Sequence, residues 1–234
     1  MQNILVVGGT KGIGLALVQN LVAAGHHVIS AARTHSTTLA DLGVQQILFD
    51  ATKPIADQTL ELPDVLDGLA YCPGSINLKP LQRLTQEDFL QDYQINVLGA
   101  VQIVQHCLKS LRKAESGANI LFFSTVAVGT GMAFHASIAA AKGALEGLTR
   151  SLAAELSPNK ICVNAIAPSL TNTSLAGALL ASPEKTEAAD KRHPLGRVGQ
   201  PNDVANMAAF LLSQKNSWIT GQIIGIDGGM GSIK

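Results

Sequence analysis

Neither sign of charge is in excess, no long apolar run is present and cysteines are few, and each of these absences excludes a class of protein. Seventeen Lys and Arg balance seventeen Asp and Glu over 234 residues. That balance argues against nucleic acid or an anionic membrane surface as a partner and favours a small molecule. No stretch approaches the roughly 20 apolar residues that a membrane span needs. The opening Met1-Gln2-Asn3 has no basic segment, and only Ile4 to Val7 precede a glycine. No secretory signal is read there, and a cytoplasmic location is expected. Cys72, Cys107 and Cys162 are scattered, without CxxC spacing or a Cys/His pairing, so no metal site is expected and the three read as buried thiols of a reducing compartment.

What is present is a series of short, continuously apolar runs: Ile4 to Val7, Val28 to Ala31, Ile47 to Phe49, Leu69 to Cys72, Ile120 to Phe123, Ile161 to Ala165 and Ile223 to Ile226. Runs that do not alternate have both faces covered, which predicts seven parallel strands between two helix layers. The expected fold is an α/β, Rossmann-type doubly wound sheet forming one domain over residues 1–234. Thr85 can cap a helix whose apolar stripe is Phe89, Tyr93, Val97, Ala100, Val104, Cys107 and Leu111. Pro201 suits a first helical turn, followed by the stripe Val204, Met207, Ala208, Leu211 and Leu212. The segment 51–64 contains Pro54 and Pro63 and is too broken for a full crossover helix.

The first strand runs into Gly8-Gly9-Thr10-Lys11-Gly12-Ile13-Gly14, after which Leu15, Val18, Leu21 and Val22 continue as an amphipathic helix. Glycines let a backbone approach a pyrophosphate, and the free amides of a helix N-terminus hold its charge. An ordinary tight turn is the other reading. About 20 residues on, where an NAD site places an acid for the ribose 2′-hydroxyl, the second strand ends in Ala32-Arg33. Arg33 and Lys11 can both bind a 2′-phosphate, at about 1.5–3 kcal/mol per charged contact, which points to NADP(H). They can also be two solvated cations. Asp50 and Ala51, after the third strand, are placed for the adenine, although an aspartate at a strand end also serves as a turn former.

With these residues in place the chain resembles the short-chain dehydrogenase/reductases, in particular those similar to 3-oxoacyl-[acyl-carrier-protein] reductase. The likeness runs through the Gly8, Gly12, Gly14 loop, Gln94-Ile95-Asn96-Val97, Ser124-Thr125-Val126-Ala127, Lys142 with Leu148 to Leu156, and Val163 to Pro168. It continues through His193 to Arg197, Thr220-Gly221 and Asp227-Gly228-Gly229. It implies hydride transfer to a carbonyl by an Asn, Ser, Tyr, Lys set, in a homo-dimer or homo-tetramer. The tyrosine and lysine of that set stand four residues apart, on one helix face, so that the ammonium lowers the phenol's pKa and the phenol protonates the alkoxide. Here Lys142 is present, but the tyrosine position reads Ile138. The family serine falls on Thr125, with Ser124 beside it, and either hydroxyl can polarise a carbonyl.

The resemblance also implies that Asn96 supports a proton path, that Lys142 and Pro168 flank the nicotinamide ribose, that Gly74 is retained in a loop otherwise changed to Tyr71-Cys72-Pro73, and that Thr173 bonds the carboxamide. Structural roles stay open for Asn96, for a strand-end Ser124 and Thr125, and for Lys142 as a surface charge. Segment 175–191, rich in Ala and Leu, takes the place of the family's substrate-covering helix and suggests an apolar substrate. Loss of the phenol removes general acid catalysis worth about 10² to 10⁴ in rate. Three readings follow. In the first, a reductase uses a substitute acid, with His135 the nearest candidate; in the second, a module binds NADP(H) without turnover; in the third, the substrate carries its own acid or is not a ketone.

Overall fold

A computed structural model describes residues 1–233. Seven parallel strands make one sheet: β1 (Asn3–Val7), β2 (His27–Ala32), β3 (Gln45–Leu48), β4 (Gly68–Tyr71), β5 (Ala118–Phe123), β6 (Ile161–Pro168) and β7 (Ile223–Ile226), in the order β3-β2-β1-β4-β5-β6-β7. All seven predicted runs are strands. The apolar continuity of β1 has the anticipated cause. Ile4 and Val6 pack with Leu17, Val18 and Leu21 of α1 (Gly12–Ala23) and with Val204, Ala208 and Leu212 of α8 (Pro201–Leu212). Leu5 and Val7 point the other way, into a cluster with Ile103, Cys107 and Leu111 of α4 (Gly99–Leu111) and Leu145 of α6 (Ala136–Leu156). With period-two side chains and apolar layers on both faces, the central strands β4 and β5 are buried at every position, while the edge strands β3 and β7 are only partly covered.

The chain starts at β1, winds out to β3 and returns across to β4, so the strand order reverses between β1 and β4. Neighbouring crossovers diverge there and leave a crevice beyond the carboxyl ends of the strands. The two crossovers on the β3 side are reduced. Between β2 and β3 lies only the five-residue α2 (Thr37–Asp41), and segment 51–64 holds a single 3₁₀ turn, Ile55–Asp57.

The helix capped by Thr85 differs from its prediction. Thr85 and Asp88 form a capping box at the start of α3 (Gln86–Tyr93), but a π-helical turn, Gln94–Leu98, separates α3 from α4. The wide turn moves the buried face. Phe89 and Tyr93, expected in the apolar stripe, are 36% and 42% exposed, and the buried positions of this stretch are Asp92, Asn96 and Val97. π turns occur often at functional sites, and this one presents the Ile95 carbonyl to the Tyr71 hydroxyl, which donates to it at 2.5 Å. The thiols also need correcting: all three are free, but only Cys107 is fully buried, Cys72 and Cys162 being half-buried. Among the described residues no cluster could hold a metal ion, and no helix is long and apolar enough to cross a membrane.

Candidate active site

Two abutting cavities open at the carboxyl ends of the strands. The larger, about 800 Å³, is lined by Gly8, Thr10, Lys11, Gly12, Ile13 and Gly14 from the first loop, by Arg33, Asp50 and Ala51 beyond β2 and β3, and by Gly74 and Thr173. The smaller, about 310 Å³, is lined by Ser124, Thr125, His135, Ile138, Lys142 and Pro168 among others, and shares Ile13, Cys72, Gly74, Phe123, Thr173 and Leu175 with its neighbour. The candidate cofactor residues thus line one connected space. Of the candidate catalytic set, all but Asn96 line the second cavity directly.

The glycine loop is built for a ligand that comes close to the backbone. Gly8 has φ +80°, and a Cβ at Gly14 would sit on the Gly8 carbonyl, so the loop can fold back over the start of α1 only without side chains there. Lys11 occupies the N-cap position with no side-chain capping bond, which leaves the first amides of α1 facing the cavity. Lys11 and Arg33 are both exposed and, among the described residues, neither forms an ion pair. No acid stands at the end of β2. This donor set fits a dinucleotide bearing a 2′-phosphate. Asp50 does what a strand-end aspartate commonly does: its Oδ1 accepts from the Thr52 amide at 3.0 Å and the Thr52 hydroxyl at 2.7 Å, bonds that hold its carboxyl below the usual range.

In the second cavity the two candidate hydroxyls differ. Ser124 Oγ donates to Glu146 Oε1 at 2.7 Å, which commits its one proton. Thr125 Oγ1 accepts from the Ala127 amide at 3.3 Å and keeps its proton for another acceptor. Lys142 is 7% exposed, and its Nζ donates to the Phe123 carbonyl at 2.6 Å, so it is no surface charge. Burial pulls this ammonium down to about 8, against the raising influence of Cys72 and Asp92. Ile138, one turn before Lys142, is 6% exposed and forms part of the apolar wall. His135 sits at the N-cap position of α6 without capping it; its Nδ1 bonds the Ala133 carbonyl at 2.7 Å, which leaves Nε2 available. Thr173 caps the 3₁₀ segment Ser174–Leu180 by accepting from the Ala176 amide at 3.4 Å. Leu175, Ala176 and Leu179 of that segment, which precedes α7 (Pro183–Asp190), cover the second cavity with apolar surface.

Asn96 was anticipated at this site, but the polar groups around it were not. Asn96 is fully buried; its Nδ2 donates to Ser75 Oγ at 3.1 Å and to the Asp92 carbonyl at 2.8 Å, and its Oδ1 has no partner. Asp92, Ser75, Ser137 and Glu146 were missed because each reads as a surface polar residue on propensity alone. The available signal was position, since Asp92 lies one turn before Asn96 and Ser137 adjoins Ile138. Arg192 also lines the second cavity, between Lys191, paired with Glu187, and Arg197, paired with Asp203; it has no ion pair among the described residues.

Comparison with known proteins agrees with this fold. A family model described as enoyl-(acyl carrier protein) reductase matches residues 7–231. The chain is similar to a 3-oxoacyl-[acyl-carrier-protein] reductase of Mycobacterium tuberculosis, 33% identical over 98% of this chain and 93% of that protein. Among solved structures it is similar to a short-chain type dehydrogenase/reductase from Mycobacterium ulcerans, with a TM-score of 0.90 and 28% identity over 100% of this chain and 90% of the other. The protein ElxO, solved with NADP bound, gives a TM-score of 0.86 and 25% identity over 98% of this chain and 99% of its own.

Proposed function

Because the chain belongs to the short-chain dehydrogenase/reductase family, we propose that it is an NADP(H)-dependent oxidoreductase that reduces the carbonyl of an apolar or acyl-type small molecule, using a proton donor other than the family's tyrosine. The observation that carries this reading is the continuity of the two cavities, which brings a phosphate-binding loop with two unpaired cations and a buried lysine beside a free hydroxyl into one space. The amides of residues 12–14 would hold the pyrophosphate, Lys11 and Arg33 the 2′-phosphate, and Lys142 and Thr173 the nicotinamide end. When bound, the reduced dinucleotide supplies a hydride. Thr125 donates to the carbonyl oxygen and polarises it, while Leu175, Ala176 and Leu179 exclude water. Unpaired Arg192 suits a substrate that carries an anionic group beyond its apolar part. ElxO, with its bound NADP, supports the choice of cofactor.

The protein's partners in this reading are the small molecule and further copies of itself, in a homo-dimer or homo-tetramer. Leu90, Tyr93 and Leu98 are exposed on the α3 side, and Ala140 and Gly147 on α6 offer a flat face beside them. The test of function is NADPH binding by fluorescence titration beside NADPH oxidation with apolar ketones and 3-oxoacyl thioesters. Binding with oxidation is the expected result. Binding without oxidation of any carbonyl would favour a second reading, a sensor or inactive oligomer partner, to which buried Ile138 lends support. Absence of NADPH binding would sink both.

A further inference from the structure

The buried polar cluster behind Gly74 takes no part in the steps above. Asp92 is 2% exposed, and its carboxylate oxygens accept from Ser75 Oγ and Ser137 Oγ, each at 2.5 Å. No lysine, arginine or histidine forms an ion pair with it among the described residues. A carboxylate removed from water without a cation in contact is costly. Such a charge persists where a cation slightly farther off answers it.

That cation is Lys142. Asn96 lies between the two, since its Nδ2 donates to the Ser75 hydroxyl that bonds Asp92, while its Oδ1, without a partner among the described residues, lies on the Gly74 side with Lys142 Nζ. A methyl group at Gly74 would stand 3.6 Å from Asn96 Oδ1 and 3.7 Å from Lys142 Nζ, so both atoms converge on one face of that glycine. Ser75 and Lys142 both line the substrate cavity. The other ionisable groups of this region supply no competing anion. Cys72 stands close enough to raise Lys142, but burial pushes its thiol up to about 12, so it is neutral over the range in which Lys142 titrates. Glu146 is bonded to Ser124 and faces Arg150 at 3.7 Å, and Asp88 pairs with Lys79 at 2.7 Å. His135 and Arg192, also on the cavity wall, carry no negative charge.

We propose that Lys142 itself delivers the proton in place of the absent phenol, and that Asp92, acting through Ser75 and Asn96, is the countercharge that keeps Lys142 protonated inside the fold. The donor step rests on the reductase reading above. In it, hydride from the reduced nicotinamide adds to the carbonyl carbon, the π electrons pass to oxygen, and oxygen takes a proton from Lys142 Nζ. The products are the alcohol, the oxidised dinucleotide and a neutral amine, which regains its proton from solvent through the cavity. With Ile138 apolar and one turn away, no side chain at that position stands between the ammonium and the cavity. Asp92 is a positioning residue; Lys142 is the catalytic one.

The test is the titration of Lys142 in the full chain, followed by NMR with lysine labelled at the ε carbon and assigned with Lys142→Arg, beside the pH profile of single-turnover NADPH oxidation. Native Lys142 should titrate near 8, with the rate falling over the same range. Asp92→Asn keeps the shape but removes the charge. It should cost Lys142 roughly tenfold in proton affinity and move the alkaline limb of the rate by the same amount, and Asp92→Glu should restore much of both. Ser75→Ala, which cuts the link but leaves the charge, should shift the titration less. An unchanged Lys142 titration in both Asp92→Asn and Ser75→Ala would overturn the countercharge. A rate indifferent to pH across the Lys142 titration would overturn the donor role. If no carbonyl is reduced at all, the donor role falls together with the reductase reading, while the titration, which needs no turnover, still decides the part played by Asp92.

Discussion

Ser124 Oγ donates to Glu146 Oε1 at 2.7 Å, and this bond separates two adjacent hydroxyls that look alike in the sequence. A hydroxyl has one proton to donate, so Ser124 anchors α6 to the end of β5 while Thr125 stays free for a carbonyl. Thr125→Val should therefore lower kcat/KM by about 10²-fold, the loss that follows removal of one oxyanion-stabilising donor. Ser124→Ala should instead destabilise the protein by about 1 kcal/mol, the cost of a buried hydrogen bond, and change the rate much less. Steady-state NADPH oxidation and denaturant unfolding of the two variants check this, and the opposite pattern would reassign the carbonyl to Ser124.

Arg33 and Lys11 face the larger cavity without ion pairs among the described residues, and no carboxylate closes β2. NADPH should bind at least tenfold more tightly than NADH, since two charge-assisted contacts favour the 2′-phosphate. Arg33→Asp should erase or reverse the preference by removing a cation and adding a repulsive charge. Fluorescence titration of both dinucleotides measures it; a preference unchanged in Arg33→Asp would place the side chain in solvent.

Ile138→Tyr should raise the rate on simple ketones at least tenfold, because the new hydroxyl would lie one helical turn from Lys142. The 310 Å³ cavity beside Ile138 gives the larger ring room. His135→Ala should leave the native rate within twofold if Lys142 is the donor, and should abolish most of it if the free Nε2 of His135 is. Single-turnover kinetics of the native protein and both variants separate these outcomes.

Lys142 carries a stability cost with a defined pH window. Its folded-state value is depressed to about 8 from 10.5, so the charged lysine destabilises the fold fully below pH 8, and the penalty is relieved as pH rises from 8 to 10.5, where the unfolded chain holds the proton longer. Lys142→Met removes the penalty but orphans the Phe123 carbonyl, for a net stabilisation of about 1 kcal/mol at pH 7. Denaturant midpoints at pH 7 and pH 10 should show the native protein gaining on the variant. A constant difference would mean that Lys142 is solvated.

Gly147 lies exposed on α6, and a Cβ there meets nothing within 4 Å. Gly147→Arg should therefore leave an isolated protomer as stable or up to about 1 kcal/mol more stable, from helix propensity alone, and yet disrupt a dimer or tetramer built on this face. Light scattering of the native protein and the variant tests both halves, and a native monomer at micromolar concentration would remove the proposed assembly.

The strands and the outer helices were legible in the sequence because burial on both faces of a parallel strand writes an unbroken apolar run, as at Ile4 to Val7, and because caps such as Thr85 and Pro201 act over three or four residues. The first loop was legible for the same reason of locality: glycines, a cation and a helix start stand within seven positions, 8–14. Ile138 and Lys142 were picked out by the family resemblance, whose four-residue spacing puts the two positions on one helix face. What lay beyond a local pattern was the exposure of Phe89 and Tyr93, since a π turn adds a residue to the helical period and no propensity marks where that happens. The choice between Ser124 and Thr125 also waited on the fold, because it depends on Glu146, 22 residues away. The burial of Asp92 was decided in the same way. Its partners Ser75 and Ser137 come from a loop after β4 and from the start of α6, 17 and 45 residues off in opposite directions, and only the packing of α3 against α6 gathers three ordinary polar residues into one buried cluster.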